Sequence, residues 1–241
     1  MIPKKIHYFW LGGNEKPKNV QKCINSWKKY CPDYEIIEWN ETNFDIHCMP
    51  FVEQAYEAKK YAFVSDVARL MVVYEYGGIY MDTDVEVIKP LDDLLENRAY
   101  ISFENNENIN TGQGFGAEAG MPFFKEHIDV YRNVYFVNPD GTYNQTACTK
   151  YTTKLLSQKG LALNGQKQVI DGVNIYPAEY FNPYDSITGK LTKTPNTYSI
   201  HWYDASWEDI SQIQLKINRF IRRVFGVETI EKIKKIIKRR G

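Results

Sequence analysis

Apolar and polar positions switch between two periods along the first ninety residues of the chain. Lys4 to Trp10 is a largely apolar run closed by Gly12-Gly13, the pattern of a buried strand. Val20, Ile24 and Trp27 then recur at helical spacing behind Pro17, which predicts a helix from Pro17 to Tyr30. Tyr34 to Trp39 reads as a second strand and Pro50 to Lys60 as a second helix. Tyr61 to Tyr76 is strongly helical, with Val64, Val67, Ala68, Met71 and Val72 following one another around its turns. Gly77-Gly78 predicts a left-handed cap at its end. The apolar triplet Ile79-Tyr80-Met81 runs directly into Asp82-Thr83-Asp84, Val85 to Ile88 resumes the strand pattern, and Pro90 breaks it.

Strand, helix and strand joined by short connections open an α/β fold with parallel strands. Further on, Ala99 to Glu104 predicts a strand, residues 105–120 a polar, glycine-rich loop with a short strand, and Pro122 to Tyr135 a helix. Residues 138–200 carry several Gly and Pro, read as irregular, and are expected to form one side of a site. The expected organisation is a catalytic domain over 1–212 and a basic amphipathic tail over 213–241.

Composition narrows this little: 43% hydrophobic and 25% charged residues are ordinary for a globular chain. The 18 Tyr and 5 Trp are a high count, useful as flat stacking surfaces but equally at home in a core. Cys23, Cys31, Cys48 and Cys148 make no zinc-site spacing and read as reduced thiols. Ile6 to Leu11 is too short for a secretory apolar region, and no stretch has the length to span a bilayer, so a cytoplasmic protein is expected. The net charge of zero hides an asymmetry. Residues 216–241 hold ten Lys/Arg and two Glu, a local charge of +8, on a body of charge −8. In that tail Ile213, Ile217, Phe220, Ile221, Val224 and Phe225 form one apolar stripe, and Ile230, Ile233, Ile236 and Ile237 a second. Such helices either lie in an anionic membrane surface or pack on the domain. Nucleic acid is not an expected partner, because the body is acidic and carries no nucleic-acid motif.

Asp82 and Asp84 stand at the carboxyl end of a buried strand, where open α/β sheets place their ligands. Alternation along a strand would point both carboxylates the same way, toward one hard cation such as Mn²⁺ or Mg²⁺. An isolated Asp-x-Asp is weak evidence, since a solvated turn or strand end is the commoner explanation of such a triplet. Asp66 and Arg69 add context: three residues apart, they share one face of an otherwise apolar helix leading to that strand. Buried charges need a partner or a purpose, so Asp66 is expected to accept hydrogen bonds from sugar hydroxyls and Arg69 to fix the sugar or a diphosphate.

The stretch A-F-V-S-D-V-A-R-L-M-V-V-Y-E-Y-G-G-I-Y-M-D-T-D-V resembles the core of the DXD-containing sugar transferases of glycosyltransferase family 32. That family includes bacterial capsular-polysaccharide transferases and yeast initiating mannosyltransferases, and the clostridial glucosylating toxins share a related core. Pro3 to Gly12 is similar to the family's opening strand, Asn110 to Pro122 to its glycine-rich loop, and His201-Trp202 with Ser206-Trp207 to its closing motif. The resemblance implies a GT-A type, Rossmann-like nucleotide-diphospho-sugar transferase fold. It implies transfer of a hexose with retention of anomeric configuration, from a nucleotide-sugar donor, UDP-linked ahead of GDP-linked. The implied acceptor is a saccharide in capsular or cell-surface polysaccharide synthesis, on a polyprenyl diphosphate in bacteria, which would suit a peripheral position on the inner face of the cell membrane.

Carried over by position, Asp66, Arg69, Asp82 and Asp84 would be the catalytic set, and Mn²⁺ or Mg²⁺ would be held by Asp82, Asp84 and His201. Trp10 would stack on the base, or serve as a core aromatic at a strand end. Tyr80, Asn110 and Trp207 would complete the donor site, Asn110 being equally a turn residue, while His7 is assigned to strand packing. Two other readings stand beside this one: a toxin-like effector that glycosylates a protein, and a nucleotide-sugar-binding module without turnover.

Overall fold

The computed structural model describes residues 1–204 and 212–226. The chain opens with β1 (Lys5–Phe9), α1 (Lys18–Tyr30) and β2 (Glu35–Trp39), followed by α2 (Pro50–Glu57) and α3 (Tyr61–Tyr76). β3 (Gly78–Tyr80) and β4 (Val85–Val87) flank the two aspartates. β5 (Ala99–Phe103), β6 (Ile109–Asn110), β7 (Phe115–Ala117) and α4 (Pro122–Tyr131) come next. Then follow α5 (Cys148–Gln158), β8 (Gln168–Ile170), β9 (Val173–Tyr176), β10 (Ser199–His201) and α6 (Gln212–Phe225).

Among the described residues, β2-β1-β3-β7-β5-β9-β8 form one mixed sheet, with β6 paired to β5. The predicted parallel start holds: β1 pairs in parallel with β2 and with β3. β7 then enters antiparallel to both β3 and β5, so the sheet as a whole is mixed. β10 and β4 make a separate antiparallel ribbon in which His201 stands opposite Val85.

Strand alternation divides the core into two apolar layers. Ile6 and Tyr8 of β1 face α1, where Trp27 is fully buried and its indole N–H donates to the Val85 carbonyl at 2.7 Å. Phe9 faces the other layer, built from α2, α3, α4 and α5. His7 is a packing residue, as expected. It is fully buried, its Nδ1 accepts the Trp39 indole N–H at 3.1 Å, and its Nε2 donates to the Gly77 carbonyl at 2.8 Å.

Three sequence expectations need correction. Gly77 ends α3 with φ 63° but ψ 177°, so the cap has a positive φ without the left-handed helical conformation. The helix predicted to Tyr135 stops at Tyr131. Residues 138–200 are not irregular: they contain α5, β8, β9 and β10. The buried face of α5 includes Thr152 and Thr153 beside Leu156, so its amphipathic period is masked by hydroxyls. β8 and β9 are too short to show a period, although Asp171-Gly172 between them, both at positive φ, is a hairpin signal.

Candidate metal and donor site

β3 delivers the two aspartates to the carboxyl edge of the sheet, but not as a continuing strand. The Val85 N–H donates to the Asp82 carbonyl at 3.0 Å, closing a turn around Thr83. This turn, rather than strand alternation, brings the carboxylates together. The Asp82 N–H in turn donates to the Gly112 carbonyl at 2.9 Å, fixing the turn to the glycine-rich loop.

The antiparallel ribbon supplies the third group. His201 Nε2 lies 3.2 Å from Asp84 Oδ1, and a carboxylate oxygen from each aspartate and a ring nitrogen of His201 all fall within 4.8 Å of one another. Asp84 is further held by the Asp204 N–H on its Oδ2 at 2.9 Å, while its carbonyl accepts the Trp202 N–H at 3.0 Å. Two hard carboxylate donors and an imidazole at this separation fit a divalent cation. The other ring nitrogen of His201, Nδ1, is buried and has no hydrogen-bond partner among the described residues, and the ring lies against that of Tyr203, whose centroid stands 4.0 Å away.

Electrostatics separate the two carboxylates. Burial pushes the Asp82 carboxyl above its ordinary value despite the pull of Arg69. Burial works in the same direction on Asp84, but the charge and hydrogen bond of His201 prevail and hold it below the usual carboxylate range. His201 responds in kind: burial disfavours its imidazolium, and Asp84 outweighs that and raises it. The two shifts have one origin, the ion pair between Asp84 and His201.

Asp66 and Arg69 meet as predicted on one face of α3, Nη2 of the guanidinium donating to Asp66. Arg69, however, is only 1% exposed, and its Nη1 points at Asp82, 3.2 Å from Oδ1. The expected direct grip of Arg69 on a sugar or diphosphate is thus replaced by a grip on the two carboxylates. Tyr80 likewise lies beneath the site, buried, with its hydroxyl donating to Asp82 Oδ1 at 2.8 Å. Asn110 is also buried and engaged at both ends of its amide, donating to Glu104 at 3.0 Å and accepting the Gly112 N–H at 2.6 Å.

Trp10 follows β1 at the same edge, since β1 and β3 run side by side with His7 opposite Tyr80. It is half-buried, its indole N–H donates to the Asn14 carbonyl at 2.7 Å, and it lines a cleft of about 310 Å³ with Gly13, Lys16, Glu38 and Asn40. Trp207 lies outside the described residues.

Sequence reasoning missed Gly112, Glu104 and Tyr203. A Cβ on Gly112 would stand 2.1 Å from Asp82 Oδ2, so only glycine lets that carboxylate occupy its place. Glu104 was legible by the rule that found Asp82, being an acidic residue at the carboxyl end of a buried strand. Tyr203 carried no signal, because its hydroxyl's partners, Glu104 and Asn182, arrive from distant segments.

Residues 17–101 match the family described as "Glycosyltransferase sugar-binding region containing DXD motif". The chain is 26% identical over 222 residues to inositol phosphoceramide mannosyltransferase 1 of Schizosaccharomyces pombe, covering 86% of this chain and 62% of that one. It is 33% identical over 138 residues to inositol phosphoceramide mannosyltransferase 3 of the same yeast, covering 55% and 37%. The chain therefore spans less than two thirds of the length of either relative. Among solved structures, PaToxG Glycosyltransferase shares the fold with a TM-score of 0.52 at 20% identity, over 66% of this chain and 70% of that one.

Proposed function

We propose that this chain, which belongs to the DXD-containing glycosyltransferases, moves a hexose from a nucleotide diphospho-sugar to a saccharide acceptor with retention of configuration. The observation that carries the reading is the convergence of Asp82, Asp84 and His201 within 4.8 Å at the carboxyl edge of the sheet. A divalent cation bound there would act as a Lewis acid on the leaving diphosphate. Its mixed oxygen and nitrogen donor set favours Mn²⁺ over Mg²⁺.

The chain's own residues hold and orient. Asp82 is fixed by Arg69, Tyr80 and the Gly112 carbonyl, and Asp84 by His201 and the Asp204 N–H. Asp66, anchored to Arg69 and partly exposed at the same edge, is the group assigned to the sugar hydroxyls. Trp10, which lines its own cleft at that edge, is assigned to the base. Neither aspartate is assigned as a base or nucleophile, because preorganised leaving-group stabilisation and positioning suffice for this chemistry. The acceptor side is assigned to the α4–α5 connection. There a cleft of about 510 Å³ is lined by Tyr135, Asn138, Asn144 and Tyr151, the last of these on the first turn of α5.

UDP-linked hexoses remain the first donors to try, with GDP-linked ones beside them, and the names of the two yeast relatives, both mannosyltransferases, add mannose to the sugars. The test is hydrolysis of a panel of UDP- and GDP-sugars by the full chain with Mn²⁺ and with EDTA. Turnover of at least one donor, lost with EDTA, is expected. Binding of a donor without turnover would favour the non-catalytic module, and neither binding nor turnover of any donor would overturn the reading.

A surface position on an anionic membrane is proposed for the tail, with a polysaccharide acceptor presented there. Among the described residues no helix is long and apolar enough to cross a membrane. α6 contains no acidic residue and exposes Ile217, Phe220, Val224 and Phe225. The second apolar stripe, from Ile230, lies outside the described residues. Co-sedimentation with phosphatidylglycerol vesicles, but not with phosphatidylcholine vesicles, is expected. Its survival in a Phe220→Asp, Phe225→Asp chain would remove α6 from the account.

A further inference from the structure

Glu104 follows β5 directly and stands in the same hydrogen-bonded frame as the aspartates and His201, yet the chemistry above gives it no task. Its Oε1 accepts two hydrogen bonds, one from Asn110 Nδ2 and one from the Tyr203 hydroxyl, both at 3.0 Å. Each donor leads to a different side of the cluster. Asn110 Oδ1 accepts the Gly112 N–H at 2.6 Å, and the Gly112 carbonyl accepts the Asp82 N–H at 2.9 Å. On the other side the Tyr203 ring lies against the His201 ring, with centroids 4.0 Å apart and planes inclined by 32°. The residue after Tyr203 presents its N–H to Asp84 at 2.9 Å. Glu104 thus closes a ring that runs through Asn110, Gly112 and Asp82 on one side and through Tyr203, His201 and Asp84 on the other.

The Tyr203 half of that ring is the half that needs holding. Tyr203 sits at φ 51°, in the left-handed region, where a bulky side chain is strained and persists only if its surroundings fix it. Its hydroxyl, besides donating to Glu104, accepts from Asn182 Nδ2 at 2.7 Å, and the same Nδ2 donates to the Glu104 carbonyl at 2.9 Å. Its own carbonyl accepts from Arg219 of α6 at 2.8 Å.

We infer that Glu104 is a positioning residue for the cation cluster, a clasp that fastens the loop beneath Asp82 to the segment that carries His201 and Tyr203. It rests on the reading of that cluster as a cation-dependent donor site. The clasp works through one oxygen that accepts two hydrogen bonds, so a glutamine carbonyl can replace it and a methyl group cannot. Neighbours that orient metal ligands in this way typically change metal affinity by about 10- to 100-fold when removed.

The experiment is Mn²⁺ binding by the full chain, followed by electron paramagnetic resonance of free Mn²⁺, with circular dichroism and thermal unfolding on each variant. Glu104→Ala is expected to weaken Mn²⁺ about tenfold or more. Glu104→Gln should stay within about threefold of the native chain, because both donors keep their acceptor. Tyr203→Phe should match Glu104→Ala, and the double variant should be no weaker than either single one. If Glu104→Ala does not fold, Glu104→Gln and Tyr203→Phe still decide. Native affinity in Tyr203→Phe, or a glutamine variant as weak as Tyr203→Phe, would overturn the clasp. Asp84→Asn serves as the reference. Mn²⁺ binding that it abolishes while Glu104→Ala leaves it unchanged would overturn the clasp alone. No Mn²⁺ binding by the native chain would overturn both the clasp and the donor-site reading.

Discussion

Arg69 reaches Asp82 from inside the protein: Nη1 stands 3.2 Å from Oδ1, on a side chain that is 2% exposed, while Nη2 serves Asp66. One buried cation thus orients two carboxylates at the same edge of the sheet. Removing it leaves both without their internal counter-charge, with the Tyr80 hydroxyl still on Asp82. Arg69→Met is expected to destabilise the fold by about 3 kcal/mol, the usual consequence of breaking a buried pair. Arg69→Lys should recover only part of this, because a single ammonium cannot present two donors in the guanidinium's fixed fork. Urea denaturation of the three chains at pH 7 checks the order, and a loss below about 1 kcal/mol for Arg69→Met would contradict it.

Gly112 gives a second prediction, on space rather than charge. An added methyl would meet Asp82 Oδ2 at 2.1 Å and Arg69 Nη1 at 3.1 Å, so the carboxylate must shift. Displacement of a site group by about 1 Å can lower turnover about 100-fold. Gly112→Ala is therefore expected to reduce kcat/KM for donor hydrolysis on that scale and to weaken Mn²⁺. Turnover within a factor of about three of the native chain would show that Asp82 need not stay where Gly112 allows it.

Asp84 separates the site from the fold. Its oxygens are committed to His201 and to the Asp204 N–H, both in the closing segment. Asp84→Ala should abolish cation-dependent turnover while the large apolar core keeps the chain folded. Two readings check it together: no detectable hydrolysis of the best donor, and an unfolding transition as cooperative as the native one.

How much of this could be read before the structure differs by segment. α1, β2 and α3 announced themselves through apolar positions at one clear period, and Asp66, Arg69, Asp82 and Asp84 lie within 19 consecutive residues of that legible stretch. The roles were less legible than the residues. Arg69, Tyr80 and Asn110 were expected to touch the donor, and each is buried and hydrogen-bonded to a neighbouring carboxylate. Sequence spacing shows which face a side chain shares, not how deep it lies. α5 was missed because threonines occupy its inner face, and β8 and β9 because strands of three and four residues display no alternation. Glu104 and Tyr203 were missed for a different reason: their relation is a contact across 99 residues, which no local pattern encodes.

His127 of α4 supplies a prediction on pH. It is 1% exposed, and its Nδ1 has no hydrogen-bond partner among the described residues. Burial, with the Arg69 charge adding to it, pulls its pKa down from 6.5 to about 3. Between those values the unfolded chain binds a proton that the folded chain refuses, so each step down in pH favours unfolding. The contribution of His127 is therefore intact above about pH 6.5 and lost progressively toward pH 3. The total is several kcal/mol, because each tenfold difference in proton affinity between the two states is worth about 1.4 kcal/mol. Carboxylates add their own acid sensitivity, so the comparison has to be with a chain that differs only at this residue. His127→Leu keeps an apolar side chain in that place and removes the titrating group. Urea midpoints measured from pH 7.5 to 4.5 should fall more steeply for the native chain than for His127→Leu. Parallel slopes would mean that His127 gains its proton in the folded chain as readily as in the unfolded one.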